Sequence, residues 1–212
     1  LTFIIEPTNF KHTGIFPEQA ANWDFMEGKI KDAKDKGEKI SILNLFGYTG
    51  AATVACSMAG ADEVVHVDAS KGMNLRAKEN LEKSGIKDNY VRFITEDVNK
   101  FVEREIRRGR KYEGIIMDPP SYGRGPSGEL WKLEDLIFGV VEKCAELLSD
   151  NPLFFIINSY TTGLAPSVIS NIMELTVNSR VKGEIISDEL GLPASKRNIV
   201  LPCGCTSRWQ RK

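Results

Sequence analysis

Short apolar runs alternate with amphipathic stretches along most of this chain. Runs rich in β-branched residues that end abruptly in a polar or glycine-containing turn predict buried strands, and apolar residues at helical spacing predict the helices between them. The predicted strands are residues 41–46, 63–67, 90–94, 114–117, 153–157, 184–188 and 198–201, with a strand-like segment at 1–6. The predicted helices are residues 17–34, 51–59, 70–84, 98–108, 134–148 and 167–177. This alternation predicts an α/β fold with a mostly parallel sheet, whose strand ends converge on one ligand site.

The turn after the first strand has the sequence Phe46-Gly47-Tyr48-Thr49-Gly50. Its glycines allow a ligand to approach the backbone closely, and the helix that follows offers free N–H groups to an anion. Phe46 and Tyr48 occupy places where a dinucleotide-binding turn has glycine, and Tyr48 would crowd a pyrophosphate. We therefore predict a ligand with an adenosine and a non-phosphate tail, such as S-adenosylmethionine, whose carboxylate replaces the phosphates.

Three aspartates stand at the ends of three further strands. Asp68 follows Gly50 at about the distance at which nucleotide-binding folds place an acid on the ribose hydroxyls. Asp97 either accepts a hydrogen bond from an adenine amino group or only caps the next helix, and one carboxylate can do both. Asp118 begins the segment Asp118-Pro119-Pro120-Ser121-Tyr122, in which two prolines stiffen the loop.

Several motifs occur here in the order and spacing of a known family. They are Lys11-His-Thr-Gly-Ile-Phe-Pro-Glu-Gln-Ala-Ala-Asn-Trp23, Leu43-Asn-Leu-Phe-Gly-Tyr-Thr-Gly50, Asp68-Ala-Ser-Lys71, Glu96-Asp97 and Asp118-Pro-Pro-Ser-Tyr122. From Thr13 to Ser159 the chain resembles class I S-adenosylmethionine-dependent methyltransferases. More narrowly, it is similar to the branch related to the bacterial large-subunit ribosomal RNA cytosine methyltransferases.

This resemblance implies the Rossmann-like class I methyltransferase fold, with a seven-stranded, mostly parallel sheet, helices on both faces and a C-terminal antiparallel hairpin. It also implies that residues 1–24 are an extension covering the cofactor site and that residues 25–212 form the methyltransferase domain. The related RNA enzymes carry a further N-terminal module, so we expect the natural protein to extend upstream of Leu1. The expected cofactor-binding residues are Phe16, Gln19, Asn44, Phe46, Gly47, Tyr48, Thr49, Gly50, Asp68, Ala69, Ser70, Asp97 and Val98.

The segment from Asp118 to Tyr122 is the expected site of methyl transfer. Asp118 supplies an acceptor, and the carbonyls of Pro119 and Pro120 are expected to be free to hold the hydrogens of an exocyclic amine. Enzymes that methylate such amines place an aromatic residue directly after the second proline to stack on a flipped base. Here Ser121 holds that place and Tyr122 follows one residue later, which weakens the assignment to an amine. The alternative is a rigid turn that only closes the cofactor pocket.

Carbon-5 methylation of cytosine needs a cysteine nucleophile at the end of the fifth strand in this branch. Ser159 stands where that cysteine is expected, and a serine without an adjacent base is a poor nucleophile. His12 lies near the N-terminus, and His66 is interpreted as a satisfied core or edge residue. Cys203 and Cys205 offer thiols in the last hairpin but are interpreted as small residues in a tight turn, and no metal site is expected. Direct methyl transfer is therefore favoured.

The 212 residues suffice for one well-buried domain, and 28 Lys and Arg against 29 Asp and Glu give a net charge of −1. No apolar run approaches a membrane span, and four scattered cysteines indicate a reducing, cytoplasmic setting. Support for RNA is local, because cations and aromatic residues together suit an unstacked base. These residues are Arg124, Lys132, Lys196, Arg197, Arg208, Tyr122, Trp131, Tyr160 and Trp209.

An RNA methyltransferase, with ribosomal RNA as the leading substrate, is the preferred interpretation. A small-molecule or protein methyltransferase agrees with the nearly neutral charge. A nucleotide-binding module without catalysis is the third hypothesis, and the intact Asp118-Pro119-Pro120 argues against it. The sequence leaves the target nucleotide, the methylated atom and the oligomeric state open.

Overall fold

A computed structural model describes residues 1–6, 13–86, 90–124 and 130–212. The strands in these ranges are β1 Ser41–Leu45, β2 Glu63–Asp68, β3 Tyr90–Thr95, β4 Gly114–Met117, β5 Tyr122–Arg124, β6 Leu130–Lys132, β7 Phe154–Ser159, β8 Glu184–Pro193 and β9 Val200–Gln210. A short 3-10 turn, Pro17–Gln19, leads into the first helix. The helices are α1 Ala20–Asp35, α2 Ala51–Met58, α3 Lys71–Lys83, α4 Val98–Arg107, α5 Leu133–Ala145, α6 Pro166–Leu175 and α7 Val177–Arg180. The prediction for His12 lies outside the described residues.

Seven of the described strands form one sheet in the order β3-β2-β1-β4-β7-β9-β8. Strands β1, β2, β3, β4 and β7 pair in parallel, whereas β9 is antiparallel to both β7 and β8. This confirms the predicted fold class. The chain runs outward from β1 to β3 and then returns to β4 beside β1, so the strand order reverses between β1 and β4. In open α/β sheets a ligand binds outside the carboxyl ends of the strands at such a point.

The central strands of the sheet are covered on both faces, which explains why they are mostly apolar, with a few buried polar residues such as Asn44 and His66. Successive side chains of β7 point to opposite faces, so Phe155 and Ile157 pack with α4, α5 and α6, while Phe154 and Ile156 pack with α1 and α2. All four are fully buried. Burial of this kind holds the strand ends, and the turns that follow them, in fixed positions.

The prediction of a strand at residues 1–6 is wrong. This segment lies against α3 rather than in the sheet: the amide of Ile4 donates to Asn80 Oδ1 at 2.8 Å, and the amide of Thr2 donates to Ser84 Oγ at 3.0 Å. Two of its backbone amides are therefore satisfied by polar side chains of α3 and its C-cap instead of by a neighbouring strand.

Two further differences lie at the carboxyl edge of the sheet. The hairpin of β5 and β6 follows the Asp118 loop and was not predicted, because three residues per strand are too few to give a pattern. Strands β8 and β9 are longer than the predicted 184–188 and 198–201, and their ladder continues past an irregularity between Leu190 and Gly191.

Helix α1 continues without a break across residue 24, so the division of the chain at that residue stays a prediction. No helix in the described ranges combines the length and mean hydropathy that crossing a bilayer requires.

Candidate functional site

Two neighbouring cavities lie at the carboxyl ends of the parallel strands. The larger has a volume of about 790 Å³, within the usual range for small-molecule sites. The predicted residues that line it are Phe16, Phe46, Tyr48, Asp68, Ala69, Asp97, Val98, Asp118, Pro119, Pro120 and Ser121. Residues from five different segments of the chain are thus brought together at the point where the strand order reverses.

The smaller cavity lies between α1 and the turn that follows β1. Its volume of about 50 Å³ leaves room for roughly four water-sized groups. The predicted residues Gln19, Asn44, Gly47 and Thr49 line this cavity and not the larger one. Its walls also include the polar side chains of Asn22 and Asn158.

Three predicted residues line neither cavity. Gly50 is the N-cap of α2, and Ser70 is the N-cap of α3, with its hydroxyl accepting from the amide of Met73 at 3.4 Å. Both shape the backbone next to the site. Tyr122 is 58% exposed on β5, away from the cavity walls.

The turn after β1 has an unusual backbone. Phe46 and Tyr48 have φ of +56° and +50°, and Gly50 has φ of +84°. Non-glycine residues rarely adopt this left-handed conformation, and it persists where the surroundings enforce it, often at functional sites. Here the amide of Gly47 donates to Val67 O at 3.0 Å, and the amide of Tyr48 donates to Asp68 Oδ2 at 2.9 Å. The end of β2 therefore holds the turn in place.

A buried histidine in β2, His66, packs against this turn. The His66 ring is so close to Gly47 that a Cβ at residue 47 would lie 2.3 Å from its Cε1. Asn44 Nδ2 donates to Thr53 Oγ1 at 2.9 Å, so the Thr53 hydroxyl hydrogen is left for His66 Nδ1, 2.8 Å away. Burial lowers the pKa of His66 to about 4, so the ring is neutral near pH 7. His66 is thus a core residue, as predicted, but it is not fully satisfied, because its Nε2 is buried without a hydrogen-bond partner among the described residues.

Asp68 stands at the rim of the larger cavity. One carboxylate oxygen accepts from the amide of Tyr48 at 2.9 Å, and the other accepts from the amide of Ser70 at 2.8 Å. Burial raises the pKa of this carboxyl, and the two amide donors oppose the increase. Each oxygen keeps one lone pair, which suits the two neighbouring hydroxyls of a ribose.

The predicted role of Asp97 as a helix cap is confirmed. Its Oδ1 accepts from the amide of Lys100 at 3.1 Å at the start of α4. The cap uses one carboxylate oxygen, and Asp97 also lines the larger cavity. The residues at this end of the cavity therefore fit an adenosine: a carboxylate for the ribose, an acceptor for an amino group and an apolar wall at Val98.

Asp118 lies on the walls of both cavities. Desolvation, and then the charge of Glu18, raise the pKa of Asp118 to about 7. Glu18 is only 8% exposed and was not predicted as a site residue. Burial, and then the charge of Asp118, raise the pKa of Tyr160, whose ring lines the larger cavity. The neighbourhood of Glu18 was visible only in the Phe-Pro-Glu-Gln motif, from which sequence reasoning selected Phe16 and Gln19.

A chain of buried amides connects this carboxylate region to β9. Arg208 Nε donates to Asn22 Oδ1 at 2.6 Å, Asn22 Nδ2 donates to Gln19 Oε1 at 2.7 Å, and Gln19 Nε2 donates to Tyr160 Oη at 2.7 Å. A guanidinium only donates, so Arg208 sets the direction of every bond in this series. The Tyr160 hydroxyl hydrogen is consequently directed away from Gln19. This series could not be predicted from the sequence, because Asn22 and Arg208 lie far apart along the chain.

Two side-chain hydrogen bonds hold the Asp118 loop, in addition to backbone bonds. Trp131 Nε1 donates to Pro120 O at 2.6 Å, and Thr161 Oγ1 donates to Ser121 Oγ at 2.7 Å. The expectation that both proline carbonyls are free is therefore wrong for Pro120, because the β5–β6 hairpin brings the Trp131 indole to it. The Trp131 ring also packs on Phe46, with ring centroids 5.2 Å apart.

The thiols of the last hairpin lie outside the described cavity walls. Cys205 is buried opposite Ser159 in the β7–β9 ladder and donates to Leu164 O at 3.3 Å, and Cys203 donates to Leu201 O at 3.5 Å. Burial is the leading cause that raises the pKa of both thiols, so neither is activated as a nucleophile.

The predicted RNA-contacting residues are only partly brought to the site. Trp131 and Tyr160 line the larger cavity, and Lys196 and Arg197 are exposed between β8 and β9. Trp209 is fully buried and donates to Asn178 Oδ1 at 3.2 Å, so its prediction as a stacking residue is wrong. Arg208 is partly buried against Asn22. The side chain of Arg124 lies outside the described part of the structure.

Comparisons with known proteins agree with this geometry. The profile of a family described as S-adenosylmethionine-dependent methyltransferase matches residues 13–163. The ribosomal RNA large subunit methyltransferase I of Aeromonas salmonicida is 31% identical over 119 residues, which is 56% of this chain and 28% of that protein. The match thus spans less than a third of that curated relative.

Solved structures give the same result over the full fold. A SAM-dependent methyltransferase from Agrobacterium tumefaciens superposes with a TM-score of 0.92 and 35% identity, covering 99% of this chain and 67% of that one. Magnesium protoporphyrin IX methyltransferase from Synechocystis, solved with bound SAM, has a TM-score of 0.61 at 16% identity, covering 98% of this chain and 86% of that one. This second likeness concerns the fold alone.

Proposed function

Because this chain belongs to the S-adenosylmethionine-dependent methyltransferase family, we propose that it transfers a methyl group from S-adenosylmethionine (SAM) to RNA, with ribosomal RNA as the leading substrate. The observation that carries the proposal is the convergence of Asp68, Asp97 and the Asp118-Pro119-Pro120 loop on one cavity of about 790 Å³. That volume accommodates a nucleoside cofactor and a planar acceptor together.

The proposed cofactor site spans both cavities. Asp68 accepts from the ribose hydroxyls, and Asp97 and Val98 bind the adenine. The small cavity beside Gln19 and Thr49 takes the amino-acid end, next to the free N–H groups at the start of α2. Residues 13–24 contribute Phe16 and Gln19 to these walls, which supports their proposed role in covering the cofactor.

When bound, SAM supplies an electrophilic methyl group on a positively charged sulfur. The acceptor atom is aligned by the Asp118 loop, where the Pro119 carbonyl and the Asp118 carboxylate are hydrogen-bond acceptors. A carboxyl whose pKa is about 7 exchanges protons readily at neutral pH, so Asp118 is suited to remove the proton released by an attacking amine or hydroxyl. The indole of Trp131 holds Pro120 and offers a surface on which a base stacks.

Three observations support RNA as the acceptor. Aromatic rings of Trp131 and Tyr160 line the cavity beside the Asp118 loop, and Lys196 and Arg197 are exposed on the β8–β9 hairpin beyond the end of β7. The curated relative from Aeromonas salmonicida is named as an enzyme of ribosomal RNA.

The free thiols agree with a reducing compartment, and we place the protein in the cytoplasm.

A small-molecule acceptor is the second candidate. The net charge of −1 gives the chain no overall attraction to a polyanion, and the aromatic lining of the larger cavity suits a planar metabolite equally well.

Labelled SAM separates these candidates. The protein is incubated with the labelled cofactor and either unmodified large-subunit ribosomal RNA or a small-molecule extract, and the products are analysed by mass spectrometry of nucleosides and of the soluble fraction. We expect the label in RNA nucleosides and its loss in Asp118→Ala. Label that appears only in the small-molecule fraction contradicts the RNA proposal, and absence of transfer despite calorimetric cofactor binding contradicts both.

A further inference from the structure

Four residues line both cavities and therefore stand where the two meet: Phe16, Phe46, Tyr48 and Asp118. Three are aromatic and the fourth is a carboxyl group. No other residue of the described chain lines both cavities. The composition of this junction is unlike that of either cavity, since the smaller is bordered by several amides and the larger by a mixed apolar and polar wall.

The aromatic residues of the junction form part of a continuous wall. The Phe16 ring centroid lies 5.7 Å from that of Tyr48 and 5.7 Å from that of Tyr160, with interplanar angles of 52° and 38°. Tyr48 is held there by its left-handed backbone and by the hydrogen bond from its amide to Asp68. The Tyr160 hydroxyl is held by Gln19. This wall is therefore preorganised.

The proposed function determines which part of SAM reaches the junction. Its adenosine is assigned to the larger cavity by Asp68 and Asp97, and its amino-acid end to the smaller cavity. The sulfonium connects these two parts, so it passes through the junction. A desolvated cation is attracted to aromatic rings and to a carboxylate, and residues of these two kinds line the junction.

We propose that Phe16 and Tyr48, with Asp118, bind the sulfonium charge and thereby distinguish SAM from its neutral product, S-adenosylhomocysteine (SAH). This inference rests on the proposed cofactor site. After methyl transfer the sulfur is uncharged, and its attraction to the rings and the carboxylate is lost. The adenosine and amino-acid contacts remain the same, so the lost charge interaction at the junction is what lowers the affinity for SAH.

The ionisation of Asp118 should also make SAM binding depend on pH. The titratable groups near Asp118 are Glu18 before α1, Tyr160 after β7 and Tyr48 in the first turn, and the pKa of Asp118 without cofactor is about 7. A cation at the junction stabilises the ionised carboxylate and lowers that pKa. SAM affinity is therefore expected to increase as the pH rises through about 7, whereas SAH affinity changes little.

Isothermal titration calorimetry with SAM and with SAH tests the inference on the intact chain. Phe16→Leu removes the ring at similar volume, and Phe16→Tyr retains it. We expect Phe16→Leu to weaken SAM binding about threefold to thirtyfold and SAH binding less than twofold. Phe16→Tyr should keep the wild-type ratio of the two affinities. Tyr48→Leu is the second variant and should change the ratio in the same direction.

Leu136→Ala is the matched control, because Leu136 lines only the larger cavity and should affect both ligands alike. An equal loss of affinity for SAM and SAH in both leucine variants would overturn the inference, as would a SAM affinity that does not change between pH 6 and pH 8. Failure of the RNA proposal is distinguishable, because these affinities are measured without any acceptor.

Discussion

Asp118 and Asp68 are both partly buried carboxyl groups of one cavity, yet their surroundings give them different properties. Asp68 receives two backbone N–H groups, which favour its ionised form and oppose the effect of burial. Asp118 faces Glu18, and burial together with that charge raises its pKa to about 7. We therefore expect Asp68 to be a permanent acceptor for a ligand and Asp118 to exchange protons.

Replacement of Asp68 tests the cofactor site directly. Asp68→Ala removes charge-assisted hydrogen bonds to the ribose worth about 1.5–3 kcal/mol, so SAH affinity should fall about tenfold to a hundredfold. Calorimetry with SAH measures the dissociation constant. Glu79→Ala on the exposed side of α3 is the control and should leave it unchanged. An unaltered dissociation constant in Asp68→Ala would place the ribose elsewhere.

The pH dependence of Asp118 is expected in both rate and stability. At SAM concentrations below saturation, the methyl-transfer rate should rise as the pH increases through about 7, and Asp118→Asn should lose this dependence and about a hundredfold in rate. The folded-state pKa lies above the ordinary value of 3.8, so the folded protein binds this proton more tightly than the unfolded chain. Its contribution to stability is complete below about pH 4 and is lost as the pH rises through about 7.

Denaturant unfolding of wild type and of Asp118→Asn measures the effect of Asp118 ionisation on stability. The free energy of unfolding of Asp118→Asn minus that of wild type should increase between pH 5 and pH 8, because only the wild-type protein loses stability as Asp118 ionises. A difference that stays constant over this interval would show that Asp118 ionises with an ordinary pKa.

At the scale of elements, the turn between β1 and α2 depends on contacts from β2 and α3. His66 in β2 leaves no space for a side chain at residue 47, and a Cβ at Gly50 would lie 2.7 Å from that of Ala77 in α3. The left-handed turn is also held by β2, because the amide of Gly47 donates to Val67 O and the amide of Tyr48 donates to Asp68 Oδ2. The position of the turn is thus decided by two elements that follow it in the chain.

Gly47→Ala should therefore disturb both stability and the site. The added methyl group overlaps the buried His66 ring, and overpacking of this kind costs about 1–3 kcal/mol. Cofactor affinity should decrease as well, because the turn must move. The control is Gly28→Ala in α1, where a Cβ meets nothing within 4 Å and helix propensity predicts a gain of about 0.5–1 kcal/mol. Equal thermal unfolding temperatures of Gly47→Ala and Gly28→Ala would contradict the steric role of His66.

At the scale of the whole molecule, the antiparallel pairing of β9 with β7 determines where the cysteine thiols of the last hairpin lie relative to the site. The β7–β9 register places Cys205 opposite Ser159, but the thiol points to Leu164 O and not into either described cavity. The site thus contains carboxyl, carbonyl and hydroxyl groups without an activated thiol. This arrangement favours direct transfer to an amine or hydroxyl.

A mechanism-based RNA probe checks this conclusion. RNA that contains 5-fluorocytosine traps enzymes that attack carbon-6 of the ring, and we expect no covalent adduct on denaturing gels. The double variant Cys203→Ser/Cys205→Ser should retain most of its turnover. A stable adduct that disappears in the double variant would restore carbon-5 chemistry through the C-terminal hairpin.

The local pattern of the sequence determined the central strands, the helices between them and the acids at the strand ends. These features depend on short-range chemistry: β-branched runs form the buried strands, and Ser70 and Asp97 cap the helices predicted to follow them. The motifs from Thr13 to Ser159 also led to the methyltransferase family and its cofactor, because their order follows the order of the strands.

The tertiary structure alone decided how distant segments complete the site. Trp131 reaches the Pro120 carbonyl through a hairpin too short to produce a pattern, and Arg208 reaches Asn22 from the last strand. Glu18 contributes to the raised pKa of Asp118 only because the fold brings the turn before α1 near the residue that follows β4. Hydrogen bonds and charge interactions depend on distance in space, and residues separated by many positions in the chain acquire such distances only when the sheet and its helices have packed.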